Sequence, residues 1–251
     1  MGLAFDNLTC EELCDLICGK PDDDNVSVMI FSCDAYSDIW KYFLRLYYKY
    51  WDCPYETYIT AETKQVVGDV SIINTTGSWT DRMREALERI PTEYVITMCE
   101  DCFIRKTVRQ DVIDQCVEYL EANPNIACFN FEKDYFGQSV PSQYKGFGLK
   151  VEGHCWQKSC QPTLWRKSIL IELLQGSMSA WEWEESNAPY NYQYYVWNGS
   201  PEDLVFEYGY HNNKWFGIRK GKWVKDDVVP LFEKEHIDVD FSVRGFYEEN
   251  N

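Results

Sequence analysis

Residues 93–103 read EYVITMCEDCF, a stretch that combines the pattern of a buried strand with an acidic pair. Its first half is a continuous apolar run rich in β-branched residues, which is typical of a strand buried on both faces of a parallel sheet. Its second half begins with two adjacent acids, Glu100 and Asp101. We therefore predict a buried strand over 93–98 that ends in a pair of carboxylates.

Segments typical of strands and helices alternate on either side of this stretch. The run VSVMIF at 26–31 has the same buried-strand pattern, and an aromatic amphipathic helix is predicted after it over 39–51. Further strands are predicted at 57–60, 69–74 and 125–131, and further helices at 79–90, 108–123 and 164–174. This alternation predicts an α/β fold with a mainly parallel, doubly wound sheet and helices on both faces. Ligands of such sheets bind beyond the carboxyl ends of the strands, where this chain has SCDAYSD, TAETK and CEDCF.

The composition excludes several classes of protein. The chain has 251 residues, of which 45% are hydrophobic, and this is ample for a core and argues against disorder. Its formal net charge is −17, so nucleic acids and anionic membrane surfaces are expected to repel it. The sequence has no uncharged apolar run of about 18 residues, so we predict no membrane-spanning segment.

The cysteines and the N-terminus indicate a cytoplasmic protein. Eleven cysteines are an odd number in a chain long enough to fold without disulfides, so we expect free thiols in a reducing compartment. The N-terminus lacks the basic and apolar pattern of a secretory signal. Three cysteines of a short helix predicted over 9–18 share one face, and they are Cys10, Cys14 and Cys18. That face either docks on the domain or binds zinc together with Cys99 and Cys102.

The acidic pair is the first indication of function. Two neighbouring carboxylates at a strand end repel each other and are costly to bury without a partner. Mg²⁺ or Mn²⁺ stabilises such a pair, because these ions take one or two protein carboxylates and complete their shell with water and phosphate oxygens. The alternative is a solvated strand end that carries two acids.

Four segments together resemble the bacterial nucleotide-sugar glycosyltransferases of the GT-A fold that act in polysaccharide biosynthesis. In chain order they are FSCDAY (31–36), SWTDRMREALERIPTEYVITMCEDCF (78–103), QPTLWRKSIL (161–170) and SAWEWEE (179–185). The resemblance extends over roughly residues 26–225 and implies one integrated domain with a Rossmann-like sheet. It implies a nucleotide-sugar-binding half over 23–135 and a smaller acceptor-binding and catalytic half over 136–251. Residues 1–22 would then pack on the core as an N-terminal helix.

The resemblance also assigns a metal site. Glu100 and Asp101 correspond to the acidic motif that holds a divalent cation, Mn²⁺ or Mg²⁺, on the diphosphate of the donor. The motif continues here with Cys102, a poor ligand for these ions, so Asp101 is the better candidate. His211 is a further candidate ligand.

A second acidic cluster, WEWEE at 181–185, matches the place of the general base in inverting members of the family. Glu184 is the candidate base that takes the proton of the acceptor hydroxyl, and Glu182 and Glu185 are its alternatives. An extended backbone would place Trp181 and Trp183 opposite Glu184, and tryptophans stack well on sugar rings. The alternative is an amphipathic edge with solvated glutamates and core tryptophans.

Further residues are candidates for binding the nucleotide-sugar. Those near the ends of the first two strands and on the following helix are Ser32, Asp34, Tyr36, Glu62 and Arg82. The basic segment HNNKWFGIRKGKWVK at 211–225 adds Arg219, Lys220 and Lys222. We predict that it closes over the diphosphate, and the alternative is a hairpin with solvated lysines.

The sequence therefore predicts an enzyme that transfers a sugar from a nucleotide-sugar donor to a hydroxyl of a glycan or lipid-linked glycan. Among the possible donors, a UDP-sugar is the favoured prediction. Its predicted setting is the cytoplasm, with a peripheral position at the inner face of the membrane as a second possibility. One alternative is a catalytically inactive protein of the same fold that binds carbohydrate or acts as a scaffold. A nucleotidyltransferase is less favoured, because the turn FSCDAYSD lacks the glycines of a phosphate-binding loop.

Overall fold

The computed structural model of the protein describes residues 25–65, 70–154, 156–189, 191–209 and 216–248. The predicted N-terminal helix, with its three cysteines, and His211 lie outside these residues. Within them, none of the helices is both long and apolar enough to cross a membrane. The seven cysteines in the described ranges are free thiols.

A central sheet of nine strands organises the molecule. Its strands are β1 (Val26–Phe31), β2 (Glu56–Ala61), β3 (Ser71–Asn74), β4 (Tyr94–Cys99), β5 (Ile126–Lys133), β6 (Ser139–Pro141), β7 (Phe147–Lys150), β8 (Thr163–Arg166) and β9 (Gln193–Trp197). Their order is β3-β2-β1-β4-β8-β5-β9-β7-β6. Only β7 and β8 run against the other strands of this sheet. The carboxyl ends of β1, β2, β4, β5 and β9 therefore meet at one edge.

Helices cover both faces of the sheet. They are α1 (Trp40–Tyr50), α2 (Trp79–Arg89), α3 (Gln110–Ala122), α4 (Lys167–Leu173), α5 (Ala180–Glu185) and α6 (Lys225–Lys234). Alternate residues of β1 enter opposite cores, so that Val28 packs with α1, α3 and α6, and Met29 packs with α2, α4 and α5. The predicted fold class is thus confirmed, a Rossmann-like α/β fold with a mainly parallel sheet and helices on both faces. Its GT-A subtype and the division at residue 135 stay predictions.

Two predicted elements differ in the structure. The first part of the helix predicted over 164–174 is strand β8, which lies antiparallel between β4 and β5. The cluster WEWEE is helical rather than extended, because Ser179 and Glu182 form a capping box that starts α5. Later in the second half of the chain, Gln193–Trp197 form β9, and four of its five residues are buried. Strand β9 is therefore part of the core.

A small hairpin follows the main sheet. It consists of β10 (Ile218–Arg219) and β11 (Lys222–Trp223), which pair in antiparallel fashion. Its loop residues Lys220 and Gly221 both have positive φ, at 49° and 77°, as a tight type I′ turn requires. The described part of the basic segment is therefore an ordered hairpin.

Candidate functional site

The loops after β1 and β2 are tied together by the Asp34 carboxylate. It accepts hydrogen bonds from the backbone amides of residues 62–64, each at 3.0 Å. In return, the Glu62 carboxylate accepts a hydrogen bond from the Asp34 amide at 2.6 Å. The hydroxyl and amide of Thr63, with the neighbouring amides, lower the pKa of Asp34. Asp34 is therefore ionised and holds the two loops in register.

Arg82 joins this network from helix α2. Its buried guanidinium forms an ion pair with Glu62 at 2.8 Å and donates to the Ser32 carbonyl at 2.8 Å. The Ser32 hydroxyl in turn accepts a hydrogen bond from Trp40 Nε1 at 2.6 Å. The structure thus brings together four of the residues predicted to bind the nucleotide. Much of the polar surface of these four residues is used in hydrogen bonds and ion pairs among themselves and their loops. They form a rigid group beneath the strand ends, called the floor below, which consists of Ser32, Asp34, Glu62 and Arg82.

The acidic pair lies at the end of β4, beside this floor. Burial, together with repulsion from Asp101, raises the pKa of Glu100 to about 8, against a smaller opposing effect of the Ser32 hydroxyl. Desolvation raises the pKa of Asp101 to about 7, although the Ile218 amide donates to its Oδ2 atom at 3.4 Å. Negative charge is therefore poorly compensated at this strand end.

The C-terminal region covers the acidic pair. Gly217 has φ of +56°, and a Cβ atom added there would lie 2.5 Å from the Asp101 carbonyl oxygen. Only glycine permits this close approach, which seats the hairpin directly on the end of β4. The described part of the basic segment therefore lies against Asp101, whereas its closure over a diphosphate stays a prediction.

Arg244 brings a positive charge to the same place. Its guanidinium forms an ion pair with Asp38, donates to the Ala35 carbonyl at 2.6 Å and lies 4.6 Å from the centroid of the Tyr36 ring. It also lowers the pKa of Glu100 by its charge. Sequence reasoning missed Arg244, although it is the only lysine or arginine after Lys234.

The candidate base Glu184 lies on the other side of β4. Its Oε1 atom accepts a hydrogen bond from the Cys160 amide at 2.6 Å, and the Cys160 carbonyl accepts one from the Cys99 thiol at 3.5 Å. Cys99 directly precedes Glu100, so two residues, Cys160 and Cys99, connect the two acidic groups. Burial raises the pKa of Glu184 despite this hydrogen bond. A carboxylate with a raised pKa is suited to accept a proton near neutral pH.

Two groups that the sequence did not single out accompany Glu184. Burial raises the pKa of Glu132, at the end of β5, to about 7, and the charge of Glu184 adds to this rise. The ammonium of Lys150, on β7, is buried and acts on both acids by its charge. The three residues come from β5, β7 and α5, which are far apart in sequence. No local sequence pattern therefore predicts that they lie together.

The other members of the WEWEE cluster have different environments. Glu182 caps α5 through Ser179, and these hydrogen bonds lower its pKa. Trp183 is fully buried, which contradicts its predicted stacking on a sugar ring. Trp181 is 60% exposed, and Glu185 is exposed beside Glu184. Glu184 is therefore the best placed of the three glutamates.

The predicted cation site consists of two carboxylates. No group of three or more His, Cys, Asp or Glu side chains suited to a metal occurs among the residues that the structure describes. Glu100 and Asp101 nevertheless fit Mg²⁺ or Mn²⁺ held jointly with a diphosphate, because phosphate and water oxygens complete the shell in such sites. The buried Cys102 thiol has a strongly raised pKa because of desolvation, so it is a poor ligand here.

Comparisons with known proteins give distant structural matches. No protein-family model and no curated protein sequence matches the chain. The bifunctional IspDF protein from Campylobacter jejuni matches 70% of this chain and 50% of its own, at 12% identity and a TM-score of 0.44. A cytidylyltransferase from Leptospira borgpetersenii matches 90% of this chain and 99% of its own, at 10% identity and a TM-score of 0.43. TarS from S. aureus matches 72% of this chain and 36% of its own, at 14% identity and a TM-score of 0.42. These values are too low to transfer an activity, a ligand or a partner to this chain.

Proposed function

We propose that the protein is a transferase that moves a sugar from a UDP-linked donor to a glycan hydroxyl with inversion of configuration. The observation that carries this proposal is the contact chain from Glu184 through Cys160 to Cys99 and the acidic pair. This arrangement supports the proposal, because it connects a candidate general base with a candidate diphosphate site through two residues, Cys160 and Cys99.

In the proposed reaction the donor lies over the end of β4. Arg244 faces the negative charge of the diphosphate from the C-terminal region, and the hairpin around Arg219 adds further positive charge. The floor formed by Ser32, Asp34, Glu62 and Arg82 holds the loops under the nucleoside. A cation bound by Glu100 and Asp101 would neutralise charge on the diphosphate.

Glu184 has the role of base in this proposal. Its carboxylate takes the proton of the acceptor hydroxyl while the acceptor oxygen forms a bond to the anomeric carbon. The bond from that carbon to the diphosphate oxygen breaks in the same step, and UDP leaves with the electron pair. The Cys160 amide fixes the position of the carboxylate during the transfer.

The first test compares two glutamates of the same helix. We expect UDP release from a panel of UDP-sugars with mixed glycan acceptors to fall by about 10²- to 10⁴-fold in Glu184→Gln. Glu182→Gln, which removes only the helix cap, is the matched control and should retain activity. Release of pyrophosphate from nucleoside triphosphates, or equal activity in both variants, would contradict the proposal.

A further inference from the structure

A cleft opens beside Glu184. It has a volume of about 350 Å³, and the residues that line it are at positions 153, 154, 156, 157 and 184–188. Glu184 forms part of its wall, together with Trp156, Gln157 and Asn187. The cleft therefore adjoins the candidate base directly.

Trp156 presents an aromatic surface in this cleft. It is 37% exposed, and its backbone has φ of +59°, a conformation that is strained for a bulky residue. The ammonium of Lys150 donates to its carbonyl at 2.8 Å and to the Gln157 carbonyl at 3.4 Å. Lys150 is itself buried, and burying an ammonium is costly. The fold thus uses a buried cation to hold Trp156 in a strained and exposed position, as is typical of ligand-binding residues.

Gln157 supplies a second indication that a ligand binds here. Its side chain is 9% exposed, and its Oε1 atom has no hydrogen-bond partner among the described parts of the chain. A buried carbonyl oxygen without a partner is unfavourable by about 1–3 kcal/mol. Gln157 lines the cleft, so a turn of its side-chain amide would bring this oxygen to the cleft surface, where a ligand hydroxyl can donate to it.

Lys158 joins the two walls of the cleft. Its ammonium donates to the Ser186 hydroxyl and to the Asn187 carbonyl, and it lies 5.2 Å from the centroid of the Trp183 ring. The residue is buried and directly follows Gln157. The cleft is therefore a built feature whose walls are fixed to each other.

We infer that this cleft binds the acceptor as a pyranoside, whose ring stacks on Trp156 while a hydroxyl donates to Gln157 Oε1. An aromatic ring beside an unpaired carbonyl oxygen suits a sugar, which has an apolar face of C–H groups and a rim of hydroxyls. The role as acceptor site depends on the proposed transferase function, whereas the binding of a sugar does not.

Saturation-transfer NMR with methyl glycosides of glucose, galactose, mannose and N-acetylglucosamine tests this inference without nucleotide. At least one glycoside should receive saturation from the wild-type protein, most strongly at its ring C–H protons. The signal should fall to background in Trp156→Ala and return in Trp156→Phe, which keeps an aromatic face. It should survive in Phe136→Ala, because Phe136 is an exposed aromatic residue that is not among those lining the cleft. Thermal melting of each variant checks that it is folded.

The outcomes separate this inference from the proposed function. No saturation in the wild-type protein, or equal saturation in wild type and folded Trp156→Ala, would overturn the inference. In an active enzyme we expect Trp156→Ala to lose transfer to the acceptor and to retain slow hydrolysis of the UDP-sugar. If glycosides bind through Trp156 but no UDP-sugar is consumed, the transferase function fails and the sugar site stands.

Discussion

Glu100 is the residue whose ionisation reports most directly on the site. It is 7% exposed, and Asp101 adjoins it in the chain. An ionised carboxyl group that is buried beside another acid destabilises the folded state. The presence of Glu100 at this position is therefore better explained by ligand binding than by stability. Glu184 on the other side of β4 is also desolvated, but the Cys160 amide compensates part of its charge.

The pKa of Glu100 predicts how stability depends on pH. Its pKa rises from 4.5 in the unfolded chain to about 8 in the folded protein, so the folded state keeps a proton that the unfolded state loses. The stabilising contribution of the protonated group is complete below the unfolded pKa and is lost as the pH rises towards 8.

We therefore expect Glu100→Gln to be more stable than the wild type at pH 8, with an advantage about 1–3 kcal/mol larger than at pH 5. Urea unfolding of both proteins at the two pH values measures this. Asp111→Asn, which alters an exposed acid on α3, is the control and should show no such trend. An advantage for Glu100→Gln that does not grow with pH would contradict the raised pKa.

At the scale of elements, the hairpin β10–β11 connects the C-terminal region with the acidic pair. Its approach depends on Gly217, which lies against Asp101, whereas a Cβ atom added to Gly221 at the tip would have no atom of the described residues within 4 Å. Both glycines have positive φ, so alanine is strained at either position. The two positions differ in the contact with Asp101.

This difference gives a matched pair of substitutions. Gly221→Ala should cost about 1 kcal/mol of unfolding free energy through backbone strain alone. Gly217→Ala should cost about 2–4 kcal/mol, because it also forces the hairpin away from Asp101. Urea unfolding of the two variants measures the difference. Equal costs would show that the hairpin is not seated on the strand end.

Some of the helices and strands could be predicted from local sequence patterns, and others could not. The buried strand at 94–99 and the helix that begins after Ser78 follow from local patterns, a β-branched apolar run and a capping box. The helix at WEWEE has a local signal too, since Ser179 and Glu182 have the spacing of a capping box, but the alternation of Trp and Glu favours a strand. No local pattern shows that β8 is a strand rather than the start of a helix. It is a strand because it pairs with β4 and β5, which lie elsewhere in the chain.

At the scale of the whole molecule, the sheet gathers groups that are far apart in sequence. The loops after β1, β2 and β4 meet because their strands are parallel, which is why the sequence predicts that Ser32, Glu62 and Asp101 share one edge. Arg244, Lys150 and Trp156 could not be predicted, since their places depend on how the second half folds back over the sheet. The molecule carries a net charge of −17, so a diphosphate can bind only where local cations outweigh the general field.

The binding of UDP by calorimetry at neutral pH, with and without Mn²⁺, tests the central claim most directly. Wild-type protein should bind UDP, and Mn²⁺ should strengthen the binding through Glu100 and Asp101. We expect Asp101→Asn to lose the effect of Mn²⁺ and to bind UDP at least about tenfold more weakly, a change of about 1.4 kcal/mol, while Asp111→Asn binds as the wild type does. Absence of UDP binding in the wild type, or unchanged binding in Asp101→Asn, would contradict the account.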